Sequence, residues 1–181
     1  MATFGIVVEG HKDKPVIEAL LGKIFPKNNC LCRPTGGKQK MMQKFLGYLE
    51  DFRYSDVKKA LIIRDKDSQC AKELIARVHE KQKNRSYPFP IKFCLIKEEM
   101  EAWLLADENA ISQVIGEKVS RINENLEDIK NPKEKLQKIL SASNSNFTPE
   151  TLRKIAEAAD LKKIEYRCPS FRRFRDSVLD C

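Results

Sequence analysis

Along residues 1–107, short apolar runs rich in β-branched side chains alternate with longer stretches whose apolar positions recur every three or four residues. That alternation predicts repeated strand–helix units around a mostly parallel sheet, because parallel neighbours need a crossover helix between them. A first strand is expected over residues 3–9 and a helix over 12–25, where Val16, Leu20 and Ile24 share one face. Pro15 falls in the first turn, where its missing N–H removes no helical hydrogen bond. A second strand at 29–33 runs into Pro34-Thr35-Gly36-Gly37, which forces a loop before a helix over 38–52. Residues 59–64 form the clearest strand, ending in Asp65-Lys66-Asp67-Ser68, a helix-start signal. A helix over 69–84, a proline-bounded loop at 86–90 and a fourth strand at 91–96 complete this half.

Beyond Lys97 the period is helical. Helices are expected over 98–106, 109–116, 132–142, 149–160 and 169–179, with Asn131-Pro132, Thr148-Pro149 and Cys168-Pro169 as start signals. The whole pattern predicts an α/β fold. Residues 1–107 form a Rossmann-like, mostly parallel sheet flanked by helices, and residues 108–181 form a helical C-terminal cap packed on it. A chain of 181 residues suffices for this arrangement, since domains usually run about 100 to 200 residues.

Composition narrows the class. With 41% hydrophobic and 33% charged residues, the chain is too apolar for wholesale disorder and too evenly charged for a membrane protein. Runs such as Ile6-Val7-Val8 and Ala60-Leu61-Ile62-Ile63 fall far below the roughly 20 residues that cross a bilayer. No secretory signal precedes the first strand, so a cytoplasmic location is expected. The six cysteines are scattered, which favours free thiols, and Cys30-x-Cys32 with two histidines makes a poor zinc ligand set. The 34 Lys and Arg against 26 Asp and Glu give a net charge of +8, which favours nucleic acid or another polyanion through counterion release.

The acidic residues collect where chemistry is expected. In a parallel sheet the strand C-termini lie along one edge, and ligands bind in the crevice there. Glu9 closes the first strand with Asp13 about one helical turn beyond; Asp65 and Asp67 close the third; Glu98, Glu99 and Glu101 follow the fourth. Asp65 and Asp67 point the same way if the strand geometry persists, and Glu98 and Glu101 share a face if that segment is helical. Carboxylates crowded into one cleft repel unless a cation neutralises them. Hard oxygen donors without His or Cys suit Mg²⁺ or Mn²⁺.

These residues resemble a known family. Ile6-Val7-Val8-Glu9-Gly10 with Asp13, followed by Leu61-Ile62-Ile63-Arg64-Asp65-Lys66-Asp67, resembles the Toprim fold of topoisomerases, bacterial primases and OLD-type nucleases. The segment from Lys97 to Asp107 is similar to an acidic stretch that follows the sheet in small Toprim proteins near the OLD-type branch. The resemblance implies that Glu9, Asp65 and Asp67 are the core acidic set, with Asp13 where OLD-type enzymes place a second acid. Many Toprim domains carry a glycine soon after Asp-x-Asp; this chain has Ser68-Gln69-Cys70.

Other candidates are less specific. Gly36-Gly37-Lys38 lacks the full phosphate-loop pattern, so its glycines either permit positive φ or bring amides to a phosphate, and Lys38 is a candidate for stabilising developing negative charge. Trp103 reads as core rather than a stacking platform, and His11, without a nucleophile, as solvent-facing. Near the C-terminus, Lys162, Lys163, Arg167, Arg172, Arg173 and Arg175 interleave with Phe171 and Phe174; the phenylalanines fit a buried face, while the cations either contact phosphates or solvate a helix.

The expectation is a Mg²⁺- or Mn²⁺-dependent nuclease acting on DNA more than RNA. In that reading Glu9, Asp65, Asp67 and Lys38 are catalytic, and Glu9, Asp13, Asp65, Asp67, Glu98 and Glu101 are the candidate metal ligands. The resemblance adds an antiphage or mobile-element setting and a separate partner ATPase. A topoisomerase would need a tyrosine on a further domain, and a full primase its zinc and helicase-binding modules. The alternative is a non-catalytic Toprim module that binds nucleic acid or a partner ATPase.

Overall fold

A computed structural model describes residues 2–66 and 69–180. Four strands, β1 (Ala2–Val8), β2 (Asn28–Pro34), β3 (Lys59–Asp65) and β4 (Ile91–Ile96), form one sheet in the order β2-β1-β3-β4. Every pairing is parallel, with Ile6 beside Cys32 and Leu61, and Ile63 beside Cys94. The fold is therefore α/β with an all-parallel sheet flanked by helices, as the alternating pattern predicts.

Helices α1 (Asp13–Ile24), α2 (Lys38–Arg53) and α3 (Ala71–Gln82) are the crossovers. Because successive strand residues face opposite sides, the sheet has two apolar faces. Val7, Ala60 and Ile62 pack against Met41, Phe45, Leu49 and Phe52 of α2 and Val78 of α3. Phe4, Ile6, Val8, Leu61 and Ile63 pack against Val16, Ile17, Leu20 and Leu21 of α1, and this cluster continues without a break into the C-terminal helices. At Gly5, a Cβ would lie 2.4 Å from the Phe52 ring, so α2 seats on β1 only where that side chain is missing.

After β4 come α4 (Glu101–Leu104), α5 (Glu108–Ile115), a 3₁₀ turn at Leu126–Asp128, α6 (Pro132–Ala142), α7 (Pro149–Ala158), α8 (Leu161–Arg167) and α9 (Pro169–Leu179). The helix expected over 98–106 is only one turn long, because Lys97 and Glu98 lie in a bend and Glu99 in irregular backbone ahead of it. Helix α8 was not marked by any proline. Asp160 starts it, its side chain accepting from Lys162 N at 2.8 Å after the backbone extends at Ala159.

Polar groups fix this layer. Trp103 is fully buried, stacked with Phe174 and edge-on to Phe171, and its indole N–H donates to Ser170 Oγ at 2.8 Å. Buried Glu127 accepts the Ser170 backbone N–H at 2.6 Å, capping α9 at its positive end. At the other end the buried Lys59 ammonium, from the start of β3, donates to the carbonyls of Ser177, Val178 and Asp180. No helix among the described residues is long and apolar enough to cross a membrane.

Candidate functional site

The sheet order places the topological switch between β1 and β3: the chain leaves β1 toward β2 on one side, and β3 toward β4 on the other. Crossovers diverge there, leaving a crevice beyond the carboxyl ends of the two central strands. Glu9 follows β1 and Asp65 ends β3, so both stand at that crevice.

The backbone around Glu9 is tightly held. Its carbonyl accepts the N–H of Gly36 at 2.8 Å and of Gly37 at 2.9 Å, while Thr35 N–H donates to Val8 O at 2.9 Å. The buried Thr35 hydroxyl lies 3.2 Å from Val8 O and 3.1 Å from Glu9 O. Gly36 and Gly37 have φ of +85° and +121°, in the region that favours glycine. The loop after β2 is thus bound to the end of β1, and the Gly36 and Gly37 amides are directed at Glu9 rather than offered to a phosphate. What the loop delivers is Lys38, the first residue of α2, which lines a cleft of about 450 Å³ together with Glu9, Gln39 and Lys40.

The Glu9 side chain reaches across to β3. Its Oε1 accepts the Asp65 N–H at 3.2 Å and lies 3.6 Å from Arg64 Nε, with Glu9 and Arg64 both buried. Arg64 Nη2 donates to Gln69 Oε1 at 3.3 Å, whereas its Nε is buried without a hydrogen-bond acceptor in range. A guanidinium therefore neutralises Glu9 from within the sheet. Asp65 is half-buried at the strand end, and Asp67 lies outside the described residues.

Asp13 and Glu101 belong to a neighbouring group. Asp13 Oδ2 accepts the Gly10 N–H at 2.7 Å, closing the turn between β1 and α1. Burial pushes its carboxyl above the usual range, the Gly10 amide opposes, Lys133 also lowers it and Glu99 raises it. The buried Glu101 carboxyl is pushed up to about 7, mainly by burial; its own backbone amide opposes, Asp13 and Glu99 add, and Lys133 lowers it. Glu99 also accepts the Lys133 backbone N–H at 2.9 Å. Glu99, not Glu98, is therefore the acid beside Asp13 and Glu101; Glu98 is half-exposed and neighbours Lys97. With Glu98 ahead of α4, the helical face expected to pair it with Glu101 does not form.

Among the described residues, no group of three or more His, Cys, Asp and Glu gathers closely enough to hold an ion. The donor chemistry at the switch point nonetheless fits a hard divalent cation, since the acids there, Glu9 and Asp65, are carboxylates, whose oxygens are hard donors.

A profile described as "Domain of unknown function (DUF4276)" matches residues 8–179. The chain belongs to the DUF4276 family. That DUF4276 span takes in the end of β1, the switch-point residues and all the C-terminal helices. No curated protein and no solved structure matches the chain.

The remaining candidates divide. His11 is exposed, and Phe171 and Phe174 are core, as their spacing predicts. The C-terminal cations are partly consumed within the fold: Lys163 pairs with Asp107 at 2.6 Å, Arg167 with Glu108 at 2.6 Å, and Arg175 with Glu165 and Asp176. Lys162, Arg172 and Arg173 are exposed. Sequence reasoning missed Arg64, Thr35 and Lys133, and it named Glu99 among the acids after the fourth strand without counting it as a ligand. Of the three missed, only Arg64 left a signal, as a charge closing the apolar run Leu61-Ile62-Ile63.

Proposed function

We infer that this protein hydrolyses phosphodiester bonds of nucleic acid, DNA more than RNA, in the cytoplasm, using a Mg²⁺ or Mn²⁺ ion at the β1/β3 switch point. The observation that carries this reading is the Glu9 carboxylate meeting the Asp65 N–H at 3.2 Å, which brings acids from two central strands into one crevice. The Toprim resemblance of the segments around Glu9 and Asp65 supports it, as does the net charge of +8.

Glu9, Asp65 and, by the resemblance, Asp67 would hold the cation; burial raises the Asp13 and Glu101 carboxyls, so each ionises less readily than a free acid. When bound, the ion supplies activation of water and stabilisation of the leaving oxygen. Lys38 and Lys40 draw the phosphate into the cleft beside Glu9 and offset its charge. Arg64 holds the Glu9 carboxylate in place.

The test is incubation of the purified protein with single- and double-stranded DNA and RNA, with and without Mn²⁺, beside Glu9→Gln and a double Asp65→Ala, Asp67→Ala variant. Mn²⁺-dependent cleavage that falls by roughly a hundredfold or more in both variants is expected. Cleavage that persists in the double variant rejects the assignment. A second reading, a non-catalytic module binding nucleic acid or a partner ATPase, is favoured by the Arg64–Glu9 ion pair, which satisfies Glu9 without a metal. Salt-sensitive binding with no turnover under any of these conditions would select it.

A further inference from the structure

The sheet order leaves one long edge of β4 without a neighbouring strand among the described residues. Ala60 N–H donates to Pro90 O and Lys66 N–H to Ile96 O. Both acceptors are even-numbered, and backbone groups of a strand alternate sides. Phe93 and Leu95 therefore direct their own N–H and C=O toward the open edge. Natural edges are blunted by charges, proline or a bulge. The central stretch Phe93-Cys94-Leu95 has no charge and no proline.

A groove of about 610 Å³ runs along this edge, floored by Phe93 and Leu95 and walled by Ile75 of α3 and Ser170 of α9. Phe93 and Leu95 are only half-buried, so the floor is apolar and accessible. Lys66, Lys97 and Arg173 stand on the rim, with Asp176 the acid among the lining residues. Lys97 pairs with Asp128, and Asp176 with Arg175. Lys66 and Arg173, which have no ion pair among the described residues, set the sign of the groove.

We propose that this groove binds an extended, acidic peptide segment of a partner protein, which adds to β4 as a fifth strand. Strand addition draws affinity from main-chain hydrogen bonds and specificity from alternate side chains. Here Phe93 and Leu95 supply the main-chain groups, their side chains the apolar contact, and Lys66 and Arg173 the preference for Asp or Glu. A second copy of the chain would bring the same cations to the same rim. A nucleic acid strand has no peptide groups to complete the ladder. The proposal stands apart from the hydrolase reading, since the groove lies on the outer strand and uses neither Glu9 nor Asp65.

The experiment selects displayed random peptides on the full chain and measures binding of the enriched peptide, synthesised with a fluorophore, by anisotropy. Sequences alternating apolar residues with Asp or Glu are expected. Their affinity should fall at least about tenfold in Leu95→Pro, which removes an edge donor at a position where proline is tolerated. A similar loss is expected in Arg173→Glu, and none in Asp65→Asn. Hydrogen exchange on the unmodified chain provides the second measurement: the peptide should slow exchange of the Phe93 and Leu95 amides. Failure to enrich acidic alternating sequences, or equal binding by Leu95→Pro and Arg173→Glu, overturns the proposal. So does protection of those two amides by raised protein concentration alone, which would mean self-pairing, or by an oligothymidylate, which would mean nucleic acid.

Discussion

Arg64 and Glu9 are a buried pair in which each charge depends on the other. Replacing Arg64 by Met strands a buried carboxylate, and such losses cost about 3 to 5 kcal/mol. Urea unfolding should show a drop of that order, and on the metal reading proposed above added Mn²⁺ should stabilise Arg64→Met more than wild type, because a carboxylate no longer paired with Arg64 gains more from an ion that only the folded state binds. Glu101 gives a pH signature. With its carboxyl raised from 4.5 to about 7, the folded state binds more protons than the unfolded one between those values, so stability falls as pH rises through that window. The loss above the window is at most about 3 kcal/mol. Glu101→Gln should flatten the profile and exceed wild type in urea midpoint at about pH 8. Individual residues were only partly legible. Glu9 and Asp65 stood out as acids after apolar runs, but the pairing of Glu9 with Arg64 depends on which strands are neighbours, which periodicity does not encode.

At the scale of elements, β1 and α2 meet through an absence. Gly5→Ala would drive a methyl into the fully buried Phe52 ring, 2.4 Å away. Overpacking of this kind costs about 1 to 3 kcal/mol, and thermal melting should show it without a change in secondary-structure content. All four strands and the helices opened by proline lay within a few residues of their expected bounds, because strand periodicity and Pro at the first helical turn are local signals. Where the fold is set by packing, the pattern misled. The segment 101–107 is buried on all sides, so continuous apolar character suggested a longer helix than the single turn that forms. Helix α8 begins on an Asp160 cap after one extended residue, a break too short for the hydrophobic period to register.

For the whole molecule, the net charge of +8 makes salt the test of the proposed nucleic-acid binding. If about six phosphates are contacted, affinity should fall about a thousandfold between roughly 50 and 200 mM salt. Anisotropy with a labelled oligonucleotide measures it, and a flat response would mean that the cations are spent inside the fold, as Lys163, Arg167 and Arg175 already are. The strand order, and with it the switch point, was not readable from the chain alone: it emerges only when crossovers choose their sides. One consequence concerns β3, which carries Asp65 at one end and, at the other, the lysine gripping the carbonyls of α9. The strand works as a tie rod between the closing helix and the acidic crevice. A protease nick or a bulky fusion that unseats that helix should be felt at the far end of the sheet, so the position of Asp65 would report on whether the tail is docked.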